Sequence, residues 1–145
     1  MTYAETFSYK IHALTYAIDM LAHQVLKQYS DLNFAQFLIL LCFTENPGET
    51  QKFASEWLQI TEATVSYMIK RMKTKDYLSI EGDVQDRRVK KIYPTSSGTA
   101  TINRLYPLLE KALKDHLDTL SSEQIKVTTS VFDSLMQSIM QQNKP

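Results

Sequence analysis

The side chains able to do chemistry are concentrated in one stretch of the chain. Between Lys70 and Lys91 there are 8 basic and 4 acidic residues, whereas Met1 to Ile69 carries 3 basic and 7 acidic, and from Ile92 onward the two kinds stand at 5 each. A formal net charge of zero therefore hides a locally cationic segment. Such a segment suits contact with a polyanion through charge-assisted bonds to phosphate oxygens. A solvated lysine-rich face gives the same count, so charge alone does not choose between the two. The surrounding residue types do more. Ala63, Thr64, Ser66 and Tyr67, followed by Lys70 and Arg71, place short polar and then cationic groups along one side of a helical stretch. Small polar side chains near a helix start can reach base edges in a major groove. Tyr67 either reaches a base or packs against the downstream hairpin. Lys70 and Lys73 either touch phosphate or are solvated. Further on, Arg87, Arg88, Lys90 and Lys91 sit on a polar loop and the strand that returns from it. Arginine at the end of a β-ribbon suits the strong negative potential of a narrow minor groove. Asp86, beside two arginines, is expected to pair with one of them, hold the tip in shape and leave the other free.

Other chemistries fail on spacing and composition. His12, His23 and His116 form no i, i+4 pair, so a metal site is not expected. Cys42 lies between Leu41 and Phe43 in the most apolar part of the chain, which reads as an inert core thiol. A single cysteine precludes an internal disulfide framework or a multi-cysteine cluster. Three glycines in 145 residues argue against phosphate loops, dinucleotide folds and all-β sandwiches. No nucleophile–base pair has a recognisable context, so an enzyme is not expected, and no cofactor is implied. The longest apolar run, Phe37 to Phe43, is too short for a bilayer, and the amino terminus lacks a basic region before an apolar block. The expectation is a soluble, cytoplasmic chain with no membrane role.

The elements that must position these groups are mostly helical. An apolar fraction of 43% over this length fits one packed domain. Phe7, Ile11, Leu14, Ile18, Leu21 and Val25 recur at 4-3-4-3-4, the seam spacing of a long helix laid along another helix. Asn33 with Gln36 forms a capping box before a helix that is apolar almost all round to Phe43. Pro47-Gly48 ends that helix. Two shorter helices come next, Gln51 to Leu58 and Glu62 to Thr74, with Thr61 as the second one's cap. They carry Ser55 as the small residue at a close crossing, Leu58 and Ile60 at the turn, and Val65, Met68, Ile69 and Met72 on the inner face. This is helix-turn-helix spacing. Strands are expected at Tyr77 to Glu81 and Val89 to Tyr93 around a polar loop. A long helix opening at Thr95 to Gly98 carries Pro107, where a kink is expected. Ser121 and Gln124 cap a last helix bearing Ile125, Phe132, Leu135, Met136 and Ile139.

Asp86-Arg87-Arg88, then Thr95 after six residues, then Gly98 after two more, resembles the wing signature of the MarR family of bacterial transcriptional regulators. Pro94 stands where that signature has leucine, Asp76 where a glycine usually comes after the recognition helix, and Ile80 where arginine commonly enters the wing. Glu62 opens the recognition helix, where it repels phosphate unless it meets a cytosine amino group. The resemblance implies a mainly α fold: a winged helix-turn-helix with a two-stranded β-wing (31–98), flanked by N- and C-terminal dimerisation helices (1–30 and 99–145) in a single domain. It also implies a homodimer that binds double-stranded DNA at an inverted repeat, most often as a repressor. Carried over position by position, Ala63, Thr64, Ser66, Tyr67 and Arg71 match the recognition-helix contacts, and Arg87 and Arg88 match the wing; Lys70 and Lys90 join them on charge. A pocket for a small aromatic or phenolic ligand is expected beside the first helix, near His12, Tyr16 and His23, with Tyr9 close by. The alternative keeps the winged fold as a protein-interaction module without specific DNA binding.

Overall fold

The computed structural model describes residues 1–142. After a 3-10 turn at Tyr3–Glu5, the chain forms α1 (Phe7–Tyr29), α2 (Phe34–Glu45), α3 (Gln51–Leu58), α4 (Glu62–Thr74), β1 (Leu78–Gly82), β2 (Lys90–Pro94), α5 (Ser96–Leu117) and α6 (Ser122–Gln142). Side-chain caps set the helix starts. Thr6, Asn33, Thr50, Thr61 and Thr95 each accept a backbone N–H from the first turn of the helix they precede. The capping box at Asn33 closes with Gln36 N–H donating to Asn33 Oδ1 at 2.8 Å and Asn33 N–H donating to Gln36 Oε1 at 3.2 Å. Ser121 and Gln124 make the same reciprocal pair before α6, at 2.8 and 3.2 Å.

The core gathers around α2, whose Phe37, Ile39, Leu40, Cys42 and Phe43 are all buried. Leu26 from α1, Val65, Ile69 and Met72 from α4, Leu78 and Ile92 from the two strands, and Ile102 and Leu105 from α5 close over it. The buried small residue of α3 is Ala54, one position before the expected Ser55, which is half-buried and donates its hydroxyl to the Lys52 carbonyl at 2.9 Å. Along α1 the expected seam divides. Ile11, Ile18, Leu21 and Val25 are half-buried, whereas Phe7 and Leu14 stay largely in water. No residue of α6 is buried, although it carries Ile125, Val131, Leu135 and Ile139. Helix α5 runs through Pro107, which cannot donate to the Asn103 carbonyl one turn back.

The strands pair antiparallel, Leu78 with Pro94, Ile80 with Ile92 and Gly82 with Lys90, each shifted one residue toward the carboxyl end from the sequence expectation. A third segment joins them. The Gly48 N–H donates to the Ile92 carbonyl at 2.8 Å, and the Ile92 N–H donates to the Glu49 carbonyl at 3.1 Å. The chain after α2 thus adds a short third rung to β2. Gly48 serves this with φ +84, a conformation few other residues adopt without strain.

The turn from α4 to β1 places Asp76 at φ +60, the left-handed region, which accounts for the glycine expected there. Thr95 fastens this turn to α5: its hydroxyl donates to the Asp76 carbonyl at 2.6 Å and its N–H to the Tyr77 carbonyl at 3.0 Å. Gly98, one turn into α5, packs so closely that a Cβ there would collide with the Tyr77 carbonyl oxygen and press on Leu40 at 3.1 Å. Gly98→Ala should therefore lower stability by about 1–3 kcal/mol through overpacking, read as a fall in the thermal midpoint. Gly82→Ala, whose Cβ would meet nothing nearer than 3.6 Å, should leave the midpoint within a few degrees; equal midpoints for the two variants would refute the close-packing account.

Candidate nucleic-acid interface

Helix α4 begins with its polar residues tied to the cap. Thr61 Oγ1 accepts the Thr64 N–H at 3.3 Å and shares a hydrogen with the Thr64 hydroxyl at 2.9 Å. Glu62 lies in the first turn, where its charge complements the helix dipole, a structural reason for an acid at this otherwise cation-rich surface. With Val65, Met68, Ile69 and Met72 turned inward, the remaining face presents Ala63, Thr64, Tyr67, Lys70 and Arg71 to solvent; Ser66 is half-buried at its edge. Tyr67 does not pack into the core but is 59% exposed. Arg71, one turn on, donates from Nη1 to the Tyr67 hydroxyl at 3.0 Å and lies 5.6 Å from the ring centroid. This i, i+4 pair holds the guanidinium against an aromatic face and so limits the rotamers that binding would have to freeze.

At the carboxyl end of α4, Lys75 reaches back to the segment between α1 and α2. Its ammonium pairs with Asp31 at 2.5 Å and also donates to the Asp31 carbonyl at 3.2 Å. The Tyr77 hydroxyl donates to the same carboxylate at 3.1 Å. These bonds hold the Asp31 carboxyl below its usual range, Lys75 contributing most. Arg104 on α5 donates to the Tyr29 carbonyl at 2.6 Å, so the α1–α2 junction is fastened to both α4 and α5.

In the wing, the Asp86 carboxylate accepts three bonds from Arg88: its N–H at 3.0 Å, Nε at 3.1 Å and Nη2 at 3.2 Å. Arg87 makes no hydrogen bond or ion pair among the described residues, and Lys90 is exposed at the start of β2. Sequence reasoning missed Asp83. One of its oxygens accepts the N–H groups of Gln85 at 2.7 Å and Asp86 at 3.1 Å, and the other pairs with Lys91 at 2.8 Å. Lys91 is thus engaged within the wing. The available signal was an aspartate opening a polar hairpin loop, a residue that folds its own downstream amides around itself. Lys91, then the two amides, hold the Asp83 carboxyl down at about 2. That lies below the ordinary value of about 3.9, so whatever these contacts contribute to stability is complete above about pH 4 and is lost as the pH falls through about 2.

The expected pocket residues His12, Tyr16 and His23 share the exposed face of α1, opposite the apolar seam. The apolar cavity beside α1 lies on its other side. It measures about 190 Å³ and is bounded by Leu21, Phe34, Leu38, Leu41, Leu109 and Leu113, with Tyr106 and Glu110 as its polar groups. None of the three named residues lines it. The signal for the cavity was the half-apolar faces of three helices rather than polar residues on one. Among the described residues no cluster of three metal-ligating side chains occurs, and no helix is long and apolar enough to cross a membrane.

Comparison with known proteins places this arrangement. A model described as the MarR family matches residues 30–89, from the α1–α2 junction to the wing. The HTH-type transcriptional regulator YybA of Bacillus subtilis (strain 168) is 28% identical over 102 residues, which are 70% of this chain and 65% of that protein, so the match spans just under two thirds of that relative's length. The structure of S. aureus MepR in complex with DNA superposes with a TM-score of 0.82 at 25% identity, over 92% of this chain and 98% of that one. Bordetella bronchiseptica BpsR, whose DNA binding is regulated by 6-hydroxynicotinic acid, superposes with a TM-score of 0.85 at 18% identity, over 94% and 96%. The mainly α winged helix-turn-helix architecture with its two-stranded wing is shared across these structures.

Burial pushes the Cys42 thiol up to about 11, and the charges of Glu45 and Glu49 add to the rise. At pH 8 about one such thiol in a thousand is ionised, so a disulfide reagent should react with the folded chain far more slowly than with the same chain in denaturant. Equal rates in the two states would show the thiol to be open to solvent.

Proposed function

We propose that the chain is a DNA-binding transcriptional regulator acting in the cytoplasm, on the premise that residues 30–89 match the MarR family model and fold as a winged helix-turn-helix. The observation that carries this reading is a solvent-facing row on α4, Thr64, Tyr67, Lys70 and Arg71, continued along the chain by a wing whose Arg87 has no intramolecular partner among the described residues. Helix α4 enters a major groove, with Ala63, Thr64, Ser66 and Tyr67 toward base edges and Lys70 and Arg71 toward bases or phosphates. Arg87, Arg88 and Lys90 reach the flanking minor groove and its phosphates. The determined complex of MepR with DNA, at 25% identity, supports the assignment.

The functional unit is a homodimer in which 1–30 and 99–145 associate and 31–98 form the reading heads. Support comes from the apolar residues of α6 and the outer α1 seam, Phe7, Leu14, Val131, Leu135 and Ile139, which a single chain leaves exposed. Phe7, Val131 and Leu135 line one open groove, and an exposed apolar surface of that kind marks an association site. A two-fold dimer reads an inverted repeat and represses by occluding a promoter. The cavity beside α1 has room for a single aromatic ring, and Glu110 and Tyr106 could meet a hydroxyl on it. A ligand there, wedged between α1, α2 and α5, would shift the population of dimers whose heads are spaced for binding.

Two measurements test this. Fluorescence anisotropy with a labelled duplex from the chain's own upstream region, against a scrambled duplex at two salt concentrations, should give preferential, salt-sensitive binding. Arg87→Ala and Arg88→Ala should each weaken it by about 1–3 kcal/mol, and unchanged affinity in both would remove the wing from the account. No binding to either duplex at low salt would favour the protein-interaction module instead. Sedimentation equilibrium should return twice the 16.7 kDa of one chain; a monomer at micromolar concentration would overturn the homodimer.

A further inference from the structure

Asp83 stands at the point where β1 leaves the ladder, and both edges of the wing loop converge on it. Its N–H donates to the Val89 carbonyl at 2.9 Å, its carboxylate collects the N–H groups of Gln85 and Asp86, and its second oxygen holds Lys91 on the returning strand. The loop closes again where the Val89 N–H donates to the Asp86 carbonyl at 2.9 Å. Fixing the Asp86 amide sets where the Asp86 carboxylate lies, and that carboxylate takes the backbone and side chain of Arg88. Between Asp86 and Arg88, Arg87 is left with its guanidinium unbound among the described residues, and Val84, early in the loop, is 99% exposed. Two acids in a cationic loop thus serve as its internal frame.

We propose that Asp83 is a positioning residue for DNA binding: it clamps the wing loop so that Arg87 is presented outward in one orientation. The inference rests on the DNA-binding reading above and deepens it. It also makes a counter-intuitive claim. Removing an acid from a surface that meets phosphates should tighten binding by simple Coulomb attraction, whereas removing a clamp loosens it, because the freed loop must be ordered at the moment of binding. The two accounts predict opposite signs.

The experiment measures the anisotropy titration for wild type, Asp83→Ala, Asp83→Asn, Arg87→Ala and the Asp83→Ala/Arg87→Ala double variant, with amide hydrogen exchange at Gln85 and Asp86. Asp83→Ala should weaken binding to the native duplex about tenfold, and in the Arg87→Ala background its further cost should nearly vanish. Asp83→Asn retains an acceptor for the two amides while losing the charge that holds Lys91, so it should fall between wild type and Ala. Exchange at Gln85 and Asp86 should quicken while that of Val65 and Ile69 in α4 does not, which separates loss of the clamp from loss of the fold. Binding by Asp83→Ala as tight as wild type or tighter overturns the inference and leaves the DNA reading intact, as does a cost that is fully additive with Arg87→Ala. A wild-type chain with no preference for the native duplex overturns the DNA reading and takes this inference with it.

Discussion

The contact of Gly98 with the Tyr77 carbonyl is the constraint on which the geometry of the reading head depends. Helix α5 approaches the chain leaving α4 at a distance only a residue without a side chain permits. Thr95 then locks that approach with two hydrogen bonds, to the Asp76 and Tyr77 carbonyls. Asp76 must take a left-handed conformation for those carbonyls to face α5. One close approach therefore orients the end of α4, the start of β1 and the first turn of α5 together, and a shift in any of them would carry the other two.

The charge pattern takes a different meaning once its partners are visible. Of the cations between Lys70 and Lys91, Lys75 is spent on Asp31, Lys91 on Asp83 and much of Arg88 on Asp86. These pairs are exposed enough that their net stabilisation is modest. Their effect is directional. Each removes a long side chain from free rotation, and the two in the wing also occupy the acids nearest Arg87 and Lys90. Arg71 is treated likewise by Tyr67 rather than by an acid, which fixes it without neutralising it. The segment presents fewer mobile charges than its composition suggests, and the remaining ones stand at defined places.

How much of this was legible in the sequence depends on how local each signal is. Caps and capping boxes were readable because Asn33 with Gln36 and Ser121 with Gln124 satisfy one another within a single turn. The helix-turn-helix face was readable because Val65, Met68, Ile69 and Met72 obey the helical period. The strand ends shifted by one residue because pairing, not propensity, sets where a ladder stops. The tie from Gly48 and Glu49 to Ile92 was invisible, since nothing near Pro47-Gly48 announces a partner more than forty residues away. Asp83 was passed over because Asp86, next to two arginines, offered the more obvious ion pair. The cavity on the other face of α1 from His12, Tyr16 and His23 is built from the residual gap between three apolar surfaces, a property of packing that no single helix records.

The rung that Glu49 adds to β2 has a mechanical consequence. With β1 anchored through Tyr77 to α5 and β2 anchored through Ile92 to the chain entering α3, the hairpin is held at both roots. It is less a flap than a fixed prong, and its offset from α4 is set when the chain folds. On the proposed reading, each head then behaves as one jaw of a caliper. The distance from groove-filling helix to prong is built in, and only the gap between two jaws is adjustable. A signal that alters occupancy would have to act on that gap, and a change in the sequence of the site would be felt by the whole jaw at once.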